Sequence, residues 1–195
     1  FFALGKVHLS EGSPSQAQPP LERAYQLVSE PLNYRTQSKS KKSGATRAEL
    51  FARNREQLCE IALAYGDTLE QLGHQVSANE VYEDAYHAYP AYPGLAYIYA
   101  KSILEDGDEA DALAPLAIAV SANPPQPQPY IDYARVLLKA KENPQEAVQS
   151  LEKALELLDG QEIEPAEDTA LTRYLALALL AQAQEAVGQR LHLLQ

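Results

Sequence analysis

The stretch Gly73-His74-Gln75-Val76-Ser77-Ala78-Asn79-Glu80-Val81-Tyr82-Glu83-Asp84-Ala85-Tyr86-His87-Ala88-Tyr89-Pro90 is echoed by the one that runs from Gly107 to Pro124. One offset of 34 residues carries Gly73 onto Gly107, Ala78 onto Ala112, Tyr82 onto Leu116, Ala85 onto Ala119 and Pro90 onto Pro124. Five landmarks related by a single step predict a repeated structural unit of two helices. Each landmark has a physical task. Ala at two positions lets helix backbones cross closely, and the larger Tyr82 or Leu116 fills the space between neighbouring units. Gly ends the first helix in a left-handed cap, and Pro stops the second.

The composition agrees with an all-α class. Of 195 residues, 46% are hydrophobic and 22% charged, enough apolar material for a continuous core. Ala, Leu, Glu and Gln dominate, and no strand-length alternation of β-branched residues occurs. The longest apolar run, Leu175 to Ala181, is far short of the roughly 20 residues that span a bilayer. The lone Cys59 excludes an internal disulfide and every multi-cysteine zinc pattern. A net charge of -11 opposes general affinity for nucleic acid. The opening Phe1-Phe2-Ala3-Leu4-Gly5 reads as the middle of a helix, so the sequence is expected to be a piece of something longer, with any signal or anchor outside it. A cytoplasmic location is the expectation.

The second unit sets Ala62, Tyr65-Gly66, Leu69, Gly73, Ala78, Tyr82, Ala85 and Pro90 at its landmarks; the third sets Ala96, Tyr99-Ala100, Ile103, Gly107, Ala112, Leu116, Ala119 and Pro124. This pattern resembles the tetratricopeptide repeat (TPR) family, whose unit is a helix-turn-helix of 34 residues. Upstream, Leu4-Gly5, Ala17, Leu21 and Ala24 fit the same template. Downstream, Tyr130, Tyr133-Ala134 and Leu137, then Ala147, Leu151 and Ala154, follow it with one inserted residue around Glu142 to Pro144. The resemblance implies a right-handed solenoid of antiparallel helix pairs over residues 1–195 as one domain. Its units run about 1–31, 59–92, 93–126 and 127–160. A capping helix or partial unit covers about 166–195, with a possible turn at Gly188.

Two segments stand outside the pattern. Asn33 to Thr46 is polar and aperiodic, and is expected to be an exposed insert. From Arg47 helical periodicity resumes, which predicts an N-terminal extension of the second unit's first helix. Arg35, Lys39, Lys41, Lys42, Arg47, Arg53 and Arg55 are seven of the sixteen basic residues. Such a run serves as a solubilising loop, or docks nucleic acid, an anionic membrane or the acidic face of another copy. Pro124-Pro125-Gln126-Pro127-Gln128-Pro129 reads as a stiff turn between units, with a polyproline ligand as the alternative.

Catalytic and phosphate-binding signatures are missing, and His8, His74, His87 and His192 share no helical face. Cys59, beside Leu58 and Ile61, reads as a buried small residue. No cofactor or metal is expected, and the chain reads as a non-enzyme. The family resemblance implies that the first helix of each unit lines a peptide groove. By position, Lys6, Asp67, Lys101 and Arg135 form one column of it, with Tyr97, Leu104, Ile131, Leu138 and Lys139 beside them. Lys101, Arg135 and Lys139, with Tyr97, are expected to hold an acidic or C-terminal peptide. The expected role is a protein-interaction scaffold in complex assembly. The alternatives are an adaptor working through the basic insert and a self-associating array.

Overall fold

Nine helices follow one another among the described residues: α1 (Phe2–Ser10), α2 (Pro14–Asn33), α3 (Ala45–Gln71), α4 (Gln75–Ala88), α5 (Pro93–Asp106), α6 (Glu109–Ser121), α7 (Gln128–Lys139), α8 (Pro144–Asp159) and α9 (Glu167–Leu193). The computed structural model describes the backbone of residues 1–33, 45–141, 143–160 and 167–193, and the side chains of 1–29, 55–141, 143–160 and 169–192. No strand occurs among them, and the class is an all-α helical repeat. The chain divides into two compact units, Phe1–Tyr99 and Ala100–Gln195.

In the first unit α1 packs on α2, α2 on α3 and α3 on α4, while α1 also touches α3. In the second, α6 packs on α7, α7 on α8 and α8 on α9, and α9 returns to α7. Within each unit these helices pack mainly against their neighbours in sequence, as a repeat array does. The landmark residues are the core. Ala17, Ala78, Ala112 and Ala147 are fully buried, and Leu21, Tyr82, Leu116 and Leu151, at the equivalent filling position, are no more than 1% exposed. In the first unit aromatic rings add to the packing. Tyr25 meets Tyr65 at 5.8 Å between centroids, and Tyr86 stacks on Tyr99 at 4.6 Å.

Three turns between paired helices share one backbone solution. Gly12, Gly73 and Gly107 take φ of +68°, +80° and +88°. The residue after each glycine donates its N–H five residues back: Ser13 to the His8 carbonyl, His74 to Leu69 and Asp108 to Ile103, at 2.9, 2.8 and 3.1 Å. The fourth turn sets Lys141 (φ +55°) where the repeat register calls for glycine.

Some expectations change. α2 runs through Asn33 and α3 starts at Ala45, so the segment between them narrows to residues 34–44, which lie outside the described residues. Arg47, Arg53 and Arg55 fall on α3, the extended first helix. α9 continues through Gly188 without a turn, because a single glycine costs a helix interior only about 1 kcal/mol and φ there stays negative. The proline run is not one polyproline stretch either, since Gln128 and Pro129 already belong to the first turn of α7. Within α6, Pro115 is buried mid-helix, where it removes the hydrogen bond to the residue 111 carbonyl.

Candidate functional site

Two glycines set the geometry of the first unit. A Cβ on Gly5 would lie 2.4 Å from Leu21 Cγ, and one on Gly66 would lie 2.2 Å from Tyr82 Cε1. Bare backbone at these points lets α1 settle on α2 and α3 on α4, as only residues without a side chain allow. Another stripe of each first helix is left uncovered. On α1 it carries Phe2, Lys6 and Leu9; on α3 it carries Glu60, Leu63, Ala64 and Asp67, both at helical spacing. These seven residues line one cleft of about 490 Å³. Phe2, Leu9, Leu63 and Ala64 are half-buried and form its apolar floor, while Lys6, Glu60 and Asp67 are exposed. The Lys6 ammonium lies 5.4 Å from the centre of the Phe2 ring, a cation held on an aromatic face. Asp67 accepts a hydrogen bond from Gln71 Nε2 at 2.9 Å.

Of the residues assigned to a groove from sequence, Lys6 and Asp67 thus share this cleft. Phe2, Leu9, Glu60, Leu63 and Ala64 were missed, although the i, i+3, i+4, i+7 pattern from Glu60 to Asp67 was open to reading. Tyr97 is half-buried on α5 in the first unit, and Leu104 and Leu138 are half-buried in the second. Ile131 is a correction. It is 1% exposed and belongs to the core, because α7 is flanked by α6, α8 and α9 and is buried along most of its length.

The three groove cations that fall in the second unit are surface groups that each hold a carboxylate. Lys101 Nζ lies 3.6 Å from Glu105, Arg135 donates to Asp132 Oδ1 at 2.8 Å, and Lys139 Nζ lies 2.6 Å from Glu109 Oε2. Asp132 is itself buried and also accepts from Gln128 Nε2 at 3.1 Å. The cationic column read from sequence is therefore locally neutralised. Helical spacing of i+4 for Lys101 and i−3 for Arg135 carried that signal in the sequence; the Glu109 pairing, between α6 and α7, did not.

Cys59 is fully buried, and its thiol is pushed up to about 11 by that burial and by Glu56, which keeps it protonated near neutrality. Burial, then Glu70 and Asp67, likewise raises the Tyr82 hydroxyl well above its ordinary value. His8 contacts Glu11 at 3.2 Å, and His87 lies 3.7 Å from Glu83. Among the described residues no three His, Cys, Asp or Glu side chains are grouped to hold a metal, and no helix is long and apolar enough to cross a membrane. Of the basic insert, Arg35, Lys39, Lys41 and Lys42 lie outside the described residues, as does the side chain of Arg47.

No family model and no curated protein matches the chain in sequence. Solved structures do match. MamA from Desulfovibrio magneticus RS-1, residues 41 to the end, superposes with a TM-score of 0.54 at 16% identity, covering 98% of this chain and 91% of that one. A further MamA crystal structure gives 0.52 at 18% identity over 98% and 92%. A kinesin light chain from Podosopora anserina with nearly identical TPR-like repeats gives 0.50 at 17% identity over 98% and 86%. With the repeat landmarks buried in register and neighbours of this kind along almost its whole length, the chain has the tetratricopeptide-like helical-repeat fold.

Proposed function

We propose that the chain is a non-catalytic protein-interaction scaffold that takes a peptide segment of a partner on the uncovered stripes of its first helices. The α1–α3 cleft carries this reading: an apolar floor with charged groups at its rim, on rigid helices, is what a peptide side chain needs for burial and orientation. Similarity to proteins described as TPR-like supports the fold on which such a cleft would work. An acidic or C-terminal peptide held by Lys101, Arg135 and Lys139 would have to replace Glu105, Asp132 and Glu109. Exposed pairs of this kind contribute about 0–1 kcal/mol each, so exchange is affordable for the two lysines. It is less so for Arg135, whose partner Asp132 is buried.

A peptide array probed with the intact chain and with its Ala64→Arg variant tests the reading. Arginine at this half-buried floor position fills the cleft from the solvent side. Peptides retained by the wild type should be lost by the variant at unchanged thermal stability; equal retention would overturn the proposal.

A second reading, self-association, is favoured by α9. Leu171 and Tyr174 are each 70% exposed, and Leu175 lies on the same face. Light scattering over a concentration series should show growth that Leu171→Lys/Tyr174→Lys abolishes. A monomer at all concentrations removes this reading.

A further inference from the structure

The lining of the α1–α3 cleft has a sign opposite to the one the sequence suggested for the binding face. Two carboxylates, Glu60 and Asp67, stand at its rim against one ammonium, Lys6, and Lys6 is drawn over Phe2. Glu60 and Asp67 are seven residues apart on α3, two helical turns or about 10 Å along the axis. Leu63 and Ala64 lie between them on the same stripe. The order along α3 is therefore charge, apolar pair, charge. The face of the Phe2 ring already holds one cation of the chain itself, which shows the class of group it accepts.

We infer that this cleft takes a partner helix that is basic and apolar, with Lys or Arg two turns apart meeting Glu60 and Asp67 and a pair of apolar residues between them seated on Leu63, Leu9 and Phe2. The inference rests on the peptide-binding reading above and assigns the chemistry of its ligand. The apolar pair supplies burial, and the two cations fix register, since a shift by one helical turn would set an ammonium over Leu63. Lys6 opposes such a ligand. It repels the incoming cations and occupies the Phe2 face that one of them would use. The overall charge of -11 adds long-range attraction for the same class of partner.

The test uses fluorescence anisotropy with two labelled helical peptides of about 18 residues, long enough to populate a helix in water. One carries Lys at i and i+7 with Leu at i+3 and i+4; in the other Glu replaces each Lys. The intact chain should bind the Lys peptide at least about tenfold more tightly than the Glu peptide, and added salt should narrow the gap. Glu60→Lys/Asp67→Lys, at two exposed positions, should reverse the preference, and Lys6→Ala should tighten the Lys peptide about two- to threefold. Tighter binding of the Glu peptide by the wild type, or an unreversed preference in the double variant, overturns the inference and leaves the cleft a peptide site of another class. Binding of neither peptide, together with peptide-array retention that survives Ala64→Arg, overturns both readings.

Discussion

The turn after α5 and the turn after α7 occupy the same place in the repeat and reach a left-handed backbone by different means. Gly107, at φ +88°, has open space where a Cβ would stand, and its turn is closed by backbone bonds alone. Lys141 enters the same region at φ +55° with a side chain, and Asn143 follows at φ +22°. A side chain in this region costs about 1–2 kcal/mol. Compensation comes from Glu146, at the start of α8. Its carboxylate accepts from Asn143 Nδ2 and from the Tyr133 hydroxyl of α7, both at 2.7 Å. One turn is specified by a single residue, the other by a contact between two helices. Repeats can thus drift from the consensus wherever a tertiary bond takes over the work of a glycine.

Breaking that contact should have the largest effect. Glu146→Ala removes two charge-assisted hydrogen bonds from a half-buried site and should cost about 2 kcal/mol, read from urea unfolding of the intact chain. Glu146→Gln, which keeps the shape and part of the bonding, should lose about half as much. If Glu146→Ala is neutral, the carboxylate does not hold the turn and the comparison fails. Next comes Gly107→Ala. No neighbour would be struck, so the whole cost is backbone strain, about 1–2 kcal/mol in thermal unfolding. Lys141→Gly runs the other way and should stabilise by up to about 1 kcal/mol. Combined with Glu146→Ala it should lower the cost of losing the carboxylate, a coupling that a double-mutant cycle reads directly.

The same contrast explains what the sequence could reveal. Crossing positions such as Ala78, Ala112 and Ala147 were legible because close approach tolerates only small residues, and the constraint recurs in register. Gly73 and Gly107 were legible because positive φ leaves few alternatives. Ile131 was not, since the groove position it shares with its counterparts is covered here by neighbouring helices. Nor was Lys139–Glu109, because nothing local brings α6 and α7 together at that point. The cleft was half legible. Lys6 and Asp67 came from the repeat template, Glu60, Leu63 and Ala64 stood open in the helical spacing of α3, and Phe2 and Leu9 needed the seating of α1 beside α3. Helix Pro115 runs against the rule that ended α4 and α6 at proline, as its buried site in α6 outweighs one missing backbone bond.

The smallest effect separates two tyrosines three residues apart on α7. Both are 5% exposed, yet the Tyr133 hydroxyl donates to Glu146 while the Tyr130 hydroxyl is buried without a hydrogen-bond partner among the described residues. Burial raises the Tyr130 hydroxyl above its ordinary value, with Lys153 pulling the other way, so the group is neutral and its cost is desolvation. Tyr130→Phe deletes that cost and fills the same volume. It should therefore be neutral or stabilising by up to about 1 kcal/mol, whereas Tyr133→Phe should destabilise by about 1 kcal/mol. Parallel denaturant titrations of the two variants decide the matter: equal losses would mean that the Tyr130 hydroxyl is bonded in solution, and that it fastens the fourth helix pair as the Tyr133 hydroxyl does.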